Sequence, residues 1–214
     1  MSREPDLTVE RRLWTNGYRR IAGLDEAGRG AWAGPVVAAA VVLPAERPDL
    51  AVALAPVRDS KLLSPRQRAL CYDLVLEHAL AWGTGAVCAA EIDRIGIVPA
   101  TRLAMRHALA GLCIRPAHLL IDALTLEEVG IPQRATVKGD RICLSIAAAS
   151  IIAKVTRDRM MRELDAALPG YALARHKGYG TPQHRVALAR LGSSPHHRHS
   201  YAPVAQRDAL ECHD

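Results

Sequence analysis

The sequence predicts an α/β domain: a mixed sheet flanked by helices, with a small helical part at the C-terminal end. Three observations predict it. Apolar runs of strand length cluster early and then alternate with helical patterns. The run from Gly34 to Leu43 is apolar at nearly every position, as in a strand buried on both faces. Residues Ser145 to Ala153 (SIAAASIIA) are small or apolar all round, so a helix built from them must pack inside, close to a sheet. The 214 residues suffice for one full core and a small appendage. They divide into a lead-in over 1–18, a core over 19–168 and a C-terminal helical segment over 169–214.

Element by element, Tyr18 to Asp25 reads as the first strand and Gly34 to Leu43 as the second, ended by Pro44. Residues 44–58 are rich in Ala, Pro and charge and read as a loop. Ser64-Pro65 opens a helix, Ser as N-cap and Pro at the first helical position, that runs to about Leu80. Trp82 to Ala90 is a third strand, and helical periodicity follows from Pro99 to Leu112. His118 to Asp122 (HLLID) is a short buried strand ending on a carboxylate, and Arg134 to Val137 is a further strand candidate. The long helix spans Ser145 to about Leu168; Thr181-Pro182 starts a last helix and Gly192 stops it. Strand order is not set by these patterns.

Composition excludes several classes. No apolar stretch has transmembrane length, and the polar start MSREPDLTVERR is unlike a secretory signal. The cysteines are odd in number and lack C-x-x-C spacing, which argues against a disulfide framework or a zinc site and for a reducing compartment; the expected location is cytoplasmic. The formal charge of +6 permits nucleic-acid binding without demonstrating it. Basic residues and histidines gather in the last third, from Arg175 to His199, where a solvated surface explains such a cluster as well as a binding face does.

The stretch GLDEAGRGAWAGPVVAAAVVLP, Gly23 to Pro44, carries the chemistry. A phosphate loop fails: Gly23 and Gly28 have the spacing, but Arg29 and Gly30 stand where Lys and Ser or Thr belong. A dinucleotide fingerprint fails too, since Gly28, Gly30 and Gly34 are spaced one residue too far and a strand follows. The adjacent Asp25 and Glu26, wedged between apolar segments, fit better as metal ligands, one facing the ion and one reaching it across a bend. Asp122 ends a strand and Asp140 precedes the buried helix. Four carboxylates at element ends suit a hard cation such as Mg²⁺ or Mn²⁺. Two such ions about 4 Å apart clamp a phosphodiester. Taken singly, Asp122 reads as well as a solvated strand end and Asp140 as a helix cap.

These motifs resemble those of the prokaryotic ribonuclease HII family. The resemblance rests on GLDEAGRG and AGPVVAAAVVLP, DSKLLSPRQR (Asp59 to Arg68), LLID (Leu119 to Asp122), KGD with LSIAAASIIAKVTRDRMM (Lys138 to Met161), and HKGYGTPQHR (His176 to Arg185). It covers the chain from about Arg20 to Val204. It implies an RNase H-like fold: a mixed five-stranded sheet flanked by helices, plus a small C-terminal helical segment carrying HKGYGT. It implies hydrolysis of the RNA strand of RNA–DNA hybrids, and incision of duplex DNA 5′ of single embedded ribonucleotides, leaving 3′-hydroxyl and 5′-phosphate ends. Asp25, Glu26, Asp122 and Asp140 would be the metal-binding catalytic carboxylates, for Mn²⁺ or Mg²⁺. Gly28, Arg29 and Gly30 would read the ribose 2′-hydroxyl through the backbone, and Tyr179 would stack on the neighbouring sugar. The 2′-hydroxyl is what distinguishes the two nucleotide types locally, and glycines let a backbone approach it.

Phosphate contacts are expected from Lys61, Lys138, His176 and Lys177. Lys154 and Arg157 lie one turn apart and read equally as phosphate contacts or as salt-bridge partners of Asp158 or Glu163. The N-terminus of the long helix is a further candidate for bound phosphate, and His196 to His199 read as a solvated or backbone-contacting tail. The chain departs from the family at Ala31-Trp32, often Pro-Leu; at Ala123, usually Gly; and at Ile142-Cys143, usually polar. The expected partners are RNA–DNA hybrid and ribonucleotide-containing duplex DNA, with no membrane, and the chain is expected to be a monomer. Two rivals stand beside this reading: a DNA-directed nuclease or integrase-like transferase on the same fold, and a catalytically dead binding module.

Overall fold

A computed structural model describes residues 4–211. Among them a mixed five-stranded sheet forms the centre. Its strands are β1 (Ile21–Ala27), β2 (Val36–Val42), β3 (Ala81–Val87), β4 (His118–Asp122) and β5 (Gln133–Thr136), in the spatial order β3-β2-β1-β4-β5. β1 pairs antiparallel with β2 and parallel with β4; β3 is antiparallel to β2, and β5 parallel to β4. The helices, in chain order, are α1 (Thr8–Thr15), α2 (Leu50–Ala53), α3 (Pro65–His78), α4 (Ala89–Ile95), α5 (Ile97–Ala110), α6 (Leu144–Ala167), α7 (Leu173–His176), α8 (Pro182–Leu191) and α9 (Ala202–Glu211).

Both faces of the sheet are covered, which is why β2 carries no polar residue. Ala39 and Val41 face α6 and α3, in a cluster with Ile151, Ile152 and Tyr72. Ala38 and Ala40 face α5, in a cluster with Ala104 and Met105. Each large aliphatic side chain buried in this way contributes about 1.5–3 kcal/mol. The start of α6 lies so close on β1 that a Cβ on Gly23 would sit 2.2 Å from the Ser145 carbonyl carbon. Hence only glycine fits at the middle of β1. α3 begins as expected: Ser64 accepts from the Gln67 N–H at 3.3 Å, Gln67 accepts from the Ser64 N–H at 2.9 Å, and Pro65 takes the first position.

The structure corrects the sequence reading in several places. β1 starts at Ile21, and Tyr18 instead packs edge-on against the His118 ring, 5.1 Å between centroids. The lead-in, to which the sequence pattern gives no element, forms α1. α4 occupies residues given partly to the third strand, and α9 follows the helix expected to be last. α1 docks by a buried polar contact: the Glu10 carboxylate accepts from the Ser145 N–H at 2.9 Å and the Ser145 hydroxyl at 2.7 Å. The Ser145 N–H at the start of α6, where a phosphate contact is a candidate, is therefore taken by the protein's own carboxylate.

Candidate active site

The parallel strands β1 and β4 end side by side, and their last residues open into one cleft of about 490 Å³. Asp25, Glu26, Gly28, Arg29 and Gly30 line one side, with Asp122, Lys61, Lys154 and Tyr179 around them. The pleat sends Asp25 toward α6 and Glu26 to the other face. Both still reach the cleft because β1 runs out at Ala27 and Gly28 turns the chain with φ +96°, a conformation glycine adopts without penalty.

Three of the carboxylates are fixed by one oxygen each. Asp25 Oδ1 accepts from the Glu26 N–H at 2.7 Å, and Asp122 Oδ1 from the Gly139 N–H at 2.8 Å. Glu26 Oε1 lies 3.4 Å from the Arg29 guanidinium. Asp122 thus ties the end of β4 to the turn that carries Asp140. Asp140 is buried in the one-turn helix Gly139–Arg141 and does not cap α6, whose cap position is Cys143. Its Oδ2 lies 3.8 Å from the Lys61 ammonium.

These groups repel one another. Asp25 is 3% exposed, and burial, then Glu26 and Asp122, push its carboxyl well above the usual range. Burial raises Glu26 as well, against the opposing pull of Arg29. Burial and the neighbouring Asp59 push Asp140 up to about 6. Burial pulls Lys61 down, but the surrounding carboxylates outweigh it and hold the ammonium above its ordinary value.

The donor set fits a divalent cation. All the candidate ligands are carboxylate oxygens, the set a hard ion prefers. Glu26 Oε2 is a buried acceptor with no hydrogen-bond partner, a position a cation would satisfy. Among the described residues, no three His, Cys, Asp or Glu already form a closed ligand group.

The other wall is a loop and a turn. Arg157, fully buried, donates to the carbonyls of Pro35 at 2.8 Å, Lys177 at 3.0 Å and Ala33 at 3.2 Å. Arg198, equally buried, donates to the Arg29 carbonyl at 2.8 Å and twice to that of Gly34, at 3.1 and 2.9 Å. The two guanidiniums clamp the loop from Gly28 to Pro35. A Cβ on Gly28 would lie 1.9 Å from Arg157 Nε, whereas a Cβ on Gly30 would meet nothing within 4 Å. The loop is tight where it meets the protein and open where it faces the cleft. Trp32 joins it to the tyrosine turn: its N–H donates to the Gly178 carbonyl at 2.8 Å, and Gly180 leaves room for its ring. Tyr179, 37% exposed, projects into the cleft with Arg157 Cζ 5.4 Å and Lys154 Nζ 5.9 Å from its ring centre.

The candidate phosphate contacts part company here. Lys61 stands at the cleft, 75% exposed, and Lys154 lines it while paired with Asp158 at 2.7 Å. Lys138 is exposed but does not line the cleft. His176 is buried, with both ring nitrogens engaged by backbone at 2.8 and 3.2 Å, and the Lys177 ammonium folds back on the Ala174 carbonyl. These two side chains order the turn and are not presented to a phosphate. Arg157 spends its guanidinium on carbonyls rather than on Asp158 or Glu163, and the tail is backbone-contacting where it is buried, at His197 and Arg198. Ala123 adopts φ +55°, the left-handed conformation its usual glycine would take without strain. Asp59 is a neighbour of the site that the sequence pattern does not single out; it bonds to Arg141 at 3.0 Å, and its charge helps raise the Asp140 carboxyl. Its place in Asp-Ser-Lys, next to a candidate lysine, is the signal that could have found it.

A family model described as Ribonuclease HII matches residues 22–204. A ribonuclease HII of Chloroflexus aurantiacus is 55% identical over 205 residues, covering 94% of this chain and 95% of that one. Among solved structures, the ribonuclease H2 from Pyrococcus horikoshii superposes with a TM-score of 0.76 at 24% identity, over 91% of this chain and 100% of that one. Bst-RNase HIII in complex with Mn²⁺ gives a TM-score of 0.73 at 20% identity, over 92% of this chain and 71% of that one. At those identities the two structures share its fold.

Proposed function

The chain belongs to the ribonuclease HII family, and from that premise we propose that this ribonuclease H cuts the RNA strand of RNA–DNA hybrids and incises duplex DNA 5′ of single embedded ribonucleotides, leaving 3′-hydroxyl and 5′-phosphate ends. One observation carries the finer reading. Asp25, Glu26 and Asp122 share a single cleft with a backbone loop that has an open glycine, and Asp140 stands behind Lys61 at its edge. The enzyme depends on a divalent metal, and we assign Mg²⁺ or Mn²⁺ to Asp25, Glu26, Asp122 and Asp140. When bound there, such ions supply an activated water and stabilise charge on the leaving oxygen.

The chain's own groups do the rest. The clamped backbone of Gly28, Arg29 and Gly30 offers fixed polar groups to a 2′-hydroxyl, a group that both donates and accepts. The Tyr179 ring provides a flat face for the adjoining sugar. Lys61 and Lys154 set positive charge beside the carboxylates, where a phosphodiester backbone would run. Because Arg157 and Arg198 hold the loop before substrate arrives, little ordering cost is left for binding. Among the described residues no helix is long and apolar enough to cross a membrane. We further propose a monomer working in the cytoplasm.

The test is cleavage, in Mg²⁺ and separately in Mn²⁺, of a DNA duplex with one ribonucleotide, its all-DNA twin and an RNA–DNA hybrid. The expected result is incision of the hybrid and 5′ of the lone ribonucleotide, lost in Asp25→Asn. Equal cutting of the all-DNA twin would overturn the 2′-hydroxyl reading. Binding without cutting in either metal would favour the binding-module rival.

A further inference from the structure

Beneath Tyr179 lies a buried column of imidazoles that the reaction does not use. His176 and His184 stack with centroids 4.4 Å apart and 17° between planes, and His197 adjoins His184 at 5.3 Å. Hydrogen bonding fixes every proton in the column. A carbonyl only accepts, so His184 Nδ1, 3.0 Å from the Tyr179 carbonyl, carries a proton and donates it there. His184 Nε2 is then bare and accepts from His197 Nε2–H at 3.1 Å. His197 Nδ1 in turn accepts from the Ser194 N–H at 3.0 Å and the Ser194 hydroxyl at 2.9 Å. His176 Nε2 donates to the Tyr171 carbonyl at 2.8 Å, and its Nδ1 accepts from the Gly178 N–H at 3.2 Å. All three rings are neutral, each in one tautomer.

The column ends on two backbone groups of one turn, the Gly178 N–H and the Tyr179 carbonyl. That turn needs holding. Lys177 and Gly178 both have positive φ, +54° and +78°, and Lys177, which carries a Cβ, is strained there. The Tyr179 ring is exposed in the cleft, so its backbone is the place where its direction is set. We propose that His184 is a positioning residue for Tyr179: its Nδ1–H fixes the Tyr179 carbonyl, and His197 fixes the tautomer that makes this possible. The inference rests on the proposed role of Tyr179 against the substrate sugar. The same logic orients imidazoles behind reactive groups elsewhere, where a partner on one nitrogen decides the state of the other. Burial, which draws the His184 imidazole down to about 4, keeps it in the neutral form the column requires.

Two substitutions of matched polarity separate positioning from mere packing. In His184→Asn the side-chain amide stands near the Nδ1 position and can still donate to Tyr179. In His184→Gln it stands near Nε2, facing His197, and leaves the Tyr179 carbonyl unpaired. Both are compared with the unaltered enzyme, alone and combined with Tyr179→Ala. The measurements are steady-state cleavage of the single-ribonucleotide duplex in Mg²⁺ and the anisotropy-based affinity of the same labelled duplex. The expected result is an increase of about tenfold in KM and Kd for His184→Gln, the loss of one hydrogen bond, with kcat within about twofold. His184→Asn stays within about twofold of the unaltered enzyme. In the Tyr179→Ala background His184→Gln adds nothing further. Equal effects of Asn and Gln, an unchanged Kd in His184→Gln, or an undiminished effect without the tyrosine ring would each overturn the proposal. Failure of the unaltered enzyme to cut would instead sink the functional reading, and the affinity comparison would still judge the role of His184.

Discussion

One wall of the cleft gathers Asp25, Glu26 and Asp122, with Asp140 behind Lys61, and Lys61 and Arg29 are the cations in contact with these carboxylates. The other wall, from Gly28 to Pro35 and from His176 to Thr181, has its backbone held by Arg157, Arg198 and two histidines. The first is left under electrostatic strain, with a buried acceptor lacking a partner. The second is satisfied group by group. The difference separates what must be supplied from outside from what must be ready beforehand. On the proposed function a cation is recruited from solution, whereas discrimination between a hydroxyl and a hydrogen needs a backbone already in place.

The largest effect expected from breaking this contrast is in Asp25→Asn. Cleavage should fall by at least about a hundredfold, more than the loss of a supporting partner to a metal ligand. Metal-free melting temperature should rise, by about 2–4 °C for each kcal/mol of repulsion relieved. A fall in both would mean that Asp25 supports the fold and the acidic wall is not strained. On the opposite wall, Arg157→Met should leave three buried or part-buried carbonyls unpaired and cost about 3 kcal/mol, seen as a melting point lower by roughly 6–12 °C. A change under about 1 kcal/mol would show that the loop holds itself.

The smallest effect is one of pH, with opposite signs on the two walls. Asp140 has its carboxyl raised from 3.8 to about 6, so the stability it allows is present below 3.8 and lost as pH rises through 6. His184 has its imidazole lowered from 6.5 to about 4, so its contribution is present above 6.5 and lost as pH falls through 4. Added Mg²⁺ should therefore raise the melting temperature more at about pH 7.5 than at about pH 5. His184→Asn should flatten the loss of stability on the acid side. Melting curves from about pH 4 to about pH 8, with and without the ion, measure both.

Much of the acidic wall was legible because it is written locally. β4 has the bounds that HLLID predicts, and an acidic pair at the end of an apolar run marks where β1 leaves the core. The long helix shifts by one residue only. The second wall was largely illegible, since its contacts span great distances along the chain. Arg157 reaches carbonyls 122 and 124 residues away, and Arg198 one 169 residues away. Nothing in the helix pattern around Arg157 distinguishes a clamp from an ion pair. α1 was missed for a related reason. It is short and mostly polar, and its docking depends on Glu10 meeting Ser145, 135 residues later. His176 and Lys177 looked like phosphate ligands because residue type was visible and direction was not.

The two-arginine clamp also sets an order of events during synthesis. A chain is made from its N-terminus, so all four carboxylates have been added once Asp140 is in place. Arg198, which holds Arg29 and Gly34, follows about 3–12 s later at ~5–20 residues per second. Throughout that interval the chain carries the four carboxylates without the arginine that completes the clamp. The finished clamp is thus the last part of the cleft to be made, and a chain stalled before Arg198 would lack one of its two arginines.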